Sequence, residues 1–199
     1  MKFLLKAGVP IIFLFLLLQS FMVMPAEKTD ERKYKVVYTD NELEIRFYQA
    51  ATLATYYSDA VSYWDVALPA FKTLAGYIFG KNETDARISM TSPVQMEINN
   101  TASSMSFLMP EGSDPDKLPK PKDPKVILHK TIDEYVAVVK FSGFASDGDI
   151  KLYSEKLKKL LILRKILFYG NFRFQGYDPP VKIFGRRNEV LVAVKWNVK

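Results

Sequence analysis

Five prolines fall within residues 110–124, and they divide the chain into two parts. Proline fixes φ and has no backbone N–H, so this density excludes a regular helix or strand, and we predict a surface connection here. The same order of patterns stands on each side of it: strands, one helix, then two strands. The two parts are not sequence repeats, but their order of elements is duplicated.

Strands are predicted in both parts from alternating apolar and polar side chains and from β-branched or aromatic runs. They cover residues 35–48 (as two strands around a turn), 50–57, 87–98, 104–109, 125–130, 135–141, 171–176 and 189–195. A turn at Asn99-Asn100 separates the fourth strand from the fifth in this series.

Two stretches show the spacing of a helix with one buried face. The first runs from Trp64 to Ile78, with Asp65 as the predicted N-cap, Pro69 near the first turn and Gly80 as the stop.

The second helix is predicted to begin with Ser146 or Asp147 as its cap, and Gly170-Asn171 is predicted to end the helical region. Its apolar stripe includes Leu157, and its other face carries three lysines, Lys151, Lys158 and Lys159.

One sheet cannot bury two helices and its own apolar alternation unless it curls. With 199 residues the chain can form one sizeable core. We therefore predict an α+β fold, a distorted antiparallel β-barrel flanked by two α-helices.

The first 26 residues are typical of a targeting segment. Lys2 and Lys6 precede apolar runs at residues 11–18 and 21–24, which are short for a membrane span, and Pro25-Ala26 offers a cleavage site. We predict a signal peptide at residues 1–26, a charged linker at 27–34 and one domain at 35–199. The domain is expected to be exported, or alternatively to be anchored in a membrane by residues 11–24.

Composition excludes several classes of function. The chain has no cysteine, which excludes disulfides, thiolate catalysis and zinc–thiolate sites. Its net charge of +6 is mild, and no basic block with interleaved aromatics is present, so we expect no nucleic-acid partner. We expect a monomer.

Near the C-terminus, residues 177–194 combine a turn, basic side chains and a closing strand. Pro179-Pro180 cannot lie inside a paired strand, so the strand begins after the turn. Lys182, Arg186 and Arg187 then suit the rim of a pocket for a carboxylate ligand. The alternative is that the arginines are solvated or pair with nearby acids.

Three motifs occur together between about Tyr38 and Trp196. They are Tyr177-Asp178-Pro179-Pro180 followed by Lys182 and by Gly185-Arg186-Arg187-Asn188-Glu189-Val190; residues 74–82 (LAGYIFGKN) with 88–94 (ISMTSPV); and Phe141-Ser142-Gly143. In this order and spacing they resemble the SOUL haem-binding protein family.

The resemblance implies two βαββ halves and a non-enzymatic tetrapyrrole carrier or buffer. Haem, or another tetrapyrrole, would lie in a shallow apolar groove beside the first helix, with basic side chains at its propionates. Carried to this chain, the groove residues are Phe71, Leu74, Ala75 and Ile78, and the basic residue is Lys182. Leu68 and Gly76 stand where further basic residues are expected, and Lys72 and Lys81 lie nearby but are not equivalent to them.

Candidate axial ligands for the iron are few. His129 is the only histidine, and Met90, Met96, Met105 and Met109 could offer a thioether. A lone strand histidine and methionines within strands are also typical of structural positions. We therefore expect haem to be held non-covalently, with a weak axial ligand or none.

Two other functions remain open. In the first, Glu189 is a buried acid with a strongly raised pKa, which binds cationic small molecules or performs hydrolysis, as the architecture of bacterial effector-binding domains suggests. In the second, the groove binds a partner protein. Asn82 and Asn99 also lie in glycosylation patterns.

Overall fold

The computed structural model describes residues 30–98 and 101–197, and both helices and all strands below lie in those ranges. The strands are β1 (Asp30–Glu31), β2 (Lys35–Asp40), β3 (Leu43–Tyr48), β4 (Thr52–Ser58), β5 (Thr91–Ser92), β6 (Val94–Ile98), β7 (Ser103–Leu108), β8 (Val126–Lys130), β9 (Glu134–Phe141), β10 (Phe168–Gly176) and β11 (Asn188–Val194). The helices are α1 (Tyr63–Ile78) and α2 (Asp147–Leu163).

Nine strands form one sheet in the order β2-β3-β9-β11-β10-β6-β7-β4-β8. All its pairings are antiparallel. The sheet is barrel-like but open, because its two edge strands, β2 and β8, do not pair with each other. The predicted α+β class, with two helices on an antiparallel sheet, is confirmed.

The duplicated order of elements corresponds to two matching units. β4-α1-β6-β7 has the strand order β6-β7-β4, and β9-α2-β10-β11 has the order β10-β11-β9. The units join where β6 pairs with β10. Each unit also pairs with the strand that precedes the other unit in the chain. β3, which precedes β4, pairs with β9, and β8, which precedes β9, pairs with β4.

One face of the sheet packs against the helices to form the main core. α1 lies on β4, β7 and β8, and α2 lies on β9, β10 and β11. Alternation along each strand places apolar side chains such as Ala54, Phe107 and Val192 on this face, where they contact Leu74 of α1 and Leu161 of α2. The other face, which we call the polar face, holds a second, smaller apolar cluster (Tyr48, Val136, Val138 and Leu191) beside buried polar side chains that are described with the site.

The ends of the helices differ in part from the sequence prediction. Ser62, not Asp65, caps α1, and its side chain accepts a hydrogen bond from the Asp65 N–H at 3.2 Å. Pro69 lies in the second turn, further from the start than predicted. For α2, Ser146 is the cap as predicted.

The predicted end of α2 was wrong, because the helix stops at Leu163 and Gly170 lies inside β10. The proline-rich segment forms no strand or helix, as predicted. Its Pro121 makes only an isolated bridge with Asn82.

Asn82 closes the end of α1 from a fully buried position. Its amide nitrogen donates to the carbonyls of Tyr77 and Ala86 at 3.0 and 2.8 Å, and its oxygen accepts from the Ala86 N–H at 3.1 Å. A side-chain nitrogen held in this way is inaccessible, so Asn82 is not a glycosylation site in the folded protein. Asn99 and the predicted turn at Asn99-Asn100 lie outside the described residues.

The segment before β2 packs against the domain. β1 pairs in parallel with β5, and the Arg32 N–H donates to the Ser92 carbonyl at 2.8 Å. Residues 30–34, which fall within the predicted linker, thus contact the sheet. The predicted signal peptide or anchor lies outside the described residues. Neither of the described helices is long and apolar enough to cross a membrane.

Candidate functional site

The outward face of α1 is unusually apolar. The helix buries Val66, Ala70, Leu74, Tyr77 and Ile78 against the sheet. On its opposite side, residues spaced by three or four positions form a second apolar stripe, which we call the α1 stripe: Trp64, Leu68, Phe71, Ala75 and Phe79. Trp64, Leu68 and Phe79 are 64%, 74% and 62% exposed. At 1.5 Å per residue the stripe is roughly 22 Å long, enough for a flat macrocycle.

The predicted groove residues divide between the two faces of α1. Phe71, which is 37% exposed, and the half-buried Ala75 lie on the α1 stripe. Phe71 also packs edge-on against Phe107, with ring centroids 5.3 Å apart. Leu74 and Ile78 are 0% and 1% exposed and belong to the core. They hold the helix on the sheet and offer no surface to a ligand in this structure.

Lysines flank the C-terminal half of the α1 stripe. Lys72 is exposed one residue after Phe71. The aliphatic chain of Lys81 crosses Gly76 so closely that a Cβ at Gly76 would lie 2.9 Å from its Cδ. The Lys81 side chain, from five residues further along, thus lies over Gly76, one of the two positions where the family resemblance led us to expect a cation. Sequence spacing alone could not show this contact.

The loop at residues 177–187 is ordered around Asp178. Its carboxylate accepts from the Arg187 N–H and from the Lys182 ammonium, each at 2.6 Å. These hydrogen bonds and the nearby positive charges outweigh burial and lower the pKa of Asp178. Lys182 thus lies in an exposed loop and is already paired with an acid.

Arg186 connects this loop to the start of both helices. Its guanidinium lies 4.6 Å from the ring centroid of Phe144, just before α2, and it donates to the carbonyls of Pro179 and Lys182 at 2.8 Å. It is also close enough to Tyr63 to oppose the rise that burial causes in the pKa of that phenol. The Tyr63 N–H donates to Asp147 at 2.6 Å, so the two helices begin side by side and Arg186 lies near the N-terminal end of α1.

No candidate axial ligand lies on the α1 stripe. His129 alternates with Leu128, whose side chain packs on the core, so it points to the opposite face of the sheet, where burial lowers its pKa. Met96, Met105 and Met109 are buried in the core, and Met90 packs against it. Two cavities of about 470 and 480 Å³ open elsewhere, beside residues 30–33 and beside β4 and β8.

The polar face of the sheet holds a buried ion network centred on Glu189. Arg46 and Glu189 are both fully buried, and their two guanidinium–carboxylate hydrogen bonds measure 2.7 and 3.1 Å. Arg187 and the Tyr177 hydroxyl also donate to the same carboxylate, at 3.0 and 2.8 Å. Residues 30–34 cover this network, since Tyr34 lies 4.1 Å from the Arg46 guanidinium.

The electrostatics of this network contradict a catalytic acid. Burial alone would raise the pKa of Glu189, but the hydrogen bonds and charge of Arg46, with the charge of Arg187, outweigh it and lower the pKa. The hypothesis of a strongly raised carboxyl pKa at Glu189 is therefore wrong. The alternative reading of Arg187, pairing with a nearby acid, is confirmed.

Sequence reasoning missed Trp64, Phe79 and Arg46. Trp64 belongs to the predicted helical period but not to the predicted groove. A second apolar stripe at helical spacing was the signal that could have found it. Arg46 gave no comparable signal, because its partner lies 143 positions away on a non-adjacent strand.

Taken together, the curled antiparallel sheet and its two helices define a small α+β domain with an apolar helix surface and basic flanks. Structures of the same fold include the C-terminal domain of EcmrR (TM-score 0.58, 10% identity, 81% of this chain and 98% of that chain). A hydrolase from Listeria innocua also matches (TM-score 0.51, 8% identity, 84% and 94%). At these identities the likeness concerns the fold alone.

Sequence comparison identifies the family. The SOUL heme-binding protein family matches residues 29–193, and this chain belongs to it. Heme-binding protein 2 of Mus musculus is 31% identical over 163 residues, covering 76% of this chain and 78% of the relative. Heme-binding protein 1 of Xenopus laevis is 34% identical over 125 residues, covering 59% and 65%.

Proposed function

We propose that this chain binds haem, or a related tetrapyrrole, non-covalently on the α1 stripe and acts as a carrier or buffer, not as an enzyme. Relatives named heme-binding proteins support the ligand class. The observation that carries the proposal is the α1 stripe itself. Trp64 and Leu68 are large apolar side chains on the solvent side of a helix whose other side already fills the core. Isolated exposed apolar residues are common, but a contiguous stripe marks a binding surface.

The cations near the stripe suit the two propionates. Lys72 and Lys81 flank its C-terminal half, and Arg186, in the same loop as Lys182, lies near its N-terminal end. Lys182 would have to exchange Asp178 for a propionate, whereas neither Lys72 nor Lys81 is paired with a carboxylate among the described residues. We therefore expect Lys72 and Lys81 to contribute at least as much to haem affinity as Lys182.

Hemin titration of the purified chain tests the proposal. We expect a Soret shift at micromolar hemin, with no strong axial-ligand signature. Because burying a large apolar side chain contributes about 1.5–3 kcal/mol, Trp64→Ala and Leu68→Ser should each weaken binding roughly tenfold or more. The matched control is Ile132→Ser, which removes an equally exposed apolar side chain (78%) from the turn before β9. No Soret change, or equal affinities for all three variants, would refute the proposal.

The cations are tested by neutralising them in turn. The double variant Lys72→Gln/Lys81→Gln removes the two cations at the C-terminal half of the stripe. The single variant Lys182→Gln removes the lysine in the loop at residues 177–187. Both leave the α1 stripe intact. If propionates lie at the C-terminal half, the double variant loses affinity and Lys182→Gln does not. If Lys182 holds a propionate, the order is reversed and Asp178→Asn, which frees the lysine, raises the affinity.

We also propose that the domain is exported, because a positive, then apolar, segment precedes it at residues 1–26. N-terminal sequencing of the chain recovered from its native source distinguishes a cleaved signal peptide from a retained anchor. A blocked or intact Met1 would contradict cleavage.

A further inference from the structure

The outward face of α2 combines exposed apolar side chains with lysines. Leu152, Ile162 and Leu163 are 62%, 62% and 77% exposed, although α2 buries Leu157 and Leu161 on its inner side. The same outward arc carries the exposed lysines Lys151, Lys158 and Lys159. Haem binding on α1 uses none of these residues.

The connection from α2 to β10 extends this surface. Lys165, Leu167 and Tyr169 follow the helix, and Leu167 and Tyr169 are 67% and 50% exposed. The Lys195 N–H donates to the Leu167 carbonyl at 2.8 Å, which brings a further exposed lysine beside them. We call this surface the basic apolar patch: Lys158, Lys159, Ile162, Leu163, Lys165, Leu167, Tyr169 and Lys195.

Acidic neighbours do not neutralise the patch. The exposed acids of α2 are Glu155 and, in its first turn, Asp147, whose carboxylate already accepts from the Tyr63 N–H at 2.6 Å. Asp40 and Glu42, on the neighbouring hairpin, are each engaged already, by Arg164 and Lys156 at 2.6 Å. Within residues 30–98 and 101–197, no carboxylate pairs with Lys158, Lys159 or Lys165.

We propose that the basic apolar patch docks on the surface of a membrane that contains anionic lipids. Leu163 and Leu167 would enter the headgroup region, Tyr169 would lie at its boundary, and the lysines would contact lipid phosphates. The exposed apolar side chains of the patch lie among its lysines, and neither described cavity lies between them to receive a partner's side chain. Exposed apolar groups among lysines fit a fluid, anionic surface better than an acidic protein.

The absence of cysteine allows a local measurement on the full chain. A single cysteine introduced as Leu167→Cys and labelled with an environment-sensitive dye reports entry of that position into lipid, whatever residues 1–26 do. The matched control is Ile127→Cys on β8, the edge strand opposite β2, where the native side chain is 49% exposed. Vesicles of phosphatidylcholine alone and with 30% phosphatidylglycerol supply the two surfaces.

We expect a blue shift at position 167 with the anionic vesicles, a much smaller shift with neutral ones, and none at position 127. Neutralising Lys158 and Lys159 to glutamine should weaken the response about 25-fold, at about fivefold per lysine. Lys117→Gln/Lys120→Gln removes the same charge from the proline-rich segment and should have little effect. Added salt should also weaken the response.

Three results would overturn the proposal. The first is no shift at position 167, and the second is an equal shift at positions 167 and 127. The third is a shift that soluble polyglutamate produces and anionic vesicles do not, which would assign the patch to an acidic protein. Hemin titration is a separate readout, so failure here leaves the haem proposal untouched, and the reverse also holds.

Discussion

The two βαββ units share one topology and present different surfaces. α1 and α2 occupy equivalent places, and both begin with a serine cap and an aspartate three residues later. On the solvent side, however, α1 shows aromatic and aliphatic side chains, whereas α2 shows aliphatic side chains together with lysines. Topology therefore specifies only the buried faces, and the outward faces are free to acquire separate partners. The two units also differ in the hydrogen bonds that the side chains make at the start and at the end of each helix.

The largest expected effect concerns the buried contact on the polar face of the sheet between β3, the strand before the first unit, and β11 of the second unit. Arg46→Met removes a fully buried guanidinium from Glu189 and leaves that carboxylate with Arg187 and Tyr177 only. Breaking a buried pair typically costs about 3–5 kcal/mol of unfolding free energy. Urea unfolding followed by circular dichroism measures the loss.

The double variant Arg46→Met/Glu189→Leu is the control. Replacing both partners leaves no unpaired buried charge, so it should be more stable than Arg46→Met alone. A double variant that is destabilised by the sum of the two single effects would show that the pair is not coupled.

The pH dependence of the free energy of unfolding also tests how much the Glu189 carboxylate contributes to stability. Because the folded-state pKa of Glu189 is lowered, its stabilisation is present above the pKa of the unfolded chain, about 4.3, and is lost as pH falls through the folded value. The free energy of unfolding should therefore decline from pH 5 to pH 3. Glu189→Gln should show a shallower decline. Equal slopes would mean that Glu189 is not the group that titrates.

The contacts at the C-terminal ends of the two helices should contribute different amounts to the free energy of unfolding. Asn82→Ala removes its three hydrogen bonds to the Tyr77 carbonyl and to the carbonyl and N–H of Ala86, and should cost about 1–3 kcal/mol of unfolding free energy. Arg164→Ala, at the end of α2, removes a partly exposed pair with Asp40 and should cost less than about 1 kcal/mol. Thermal unfolding of both variants tests the difference, and equal losses would contradict it.

Local patterns predicted the elements, and distant pairings decided the site. Alternation along the strands and the period of Trp64 to Ile78 suffice for the α+β class, since both follow from burial of one face. The same period does not show which of its apolar residues face inward, so Leu74 and Ile78 were placed in the groove although they lie in the core. The place of Arg46 opposite Glu189 depends on β3 reaching β9 and β11, which no local pattern contains.

The smallest expected difference lies at the two N-caps. Both serine side chains accept from the aspartate N–H three residues on, at 3.2 Å, but only in α2 does the aspartate also accept from the cap's backbone N–H, at 3.1 Å. Asp149→Ala should therefore cost about 0.5–1 kcal/mol more than Asp65→Ala, which removes a side-chain contact alone. Paired urea titrations of the two variants resolve a gap of this size. If Asp65→Ala proves the more destabilising change, the two helix starts are not related as their hydrogen bonds indicate.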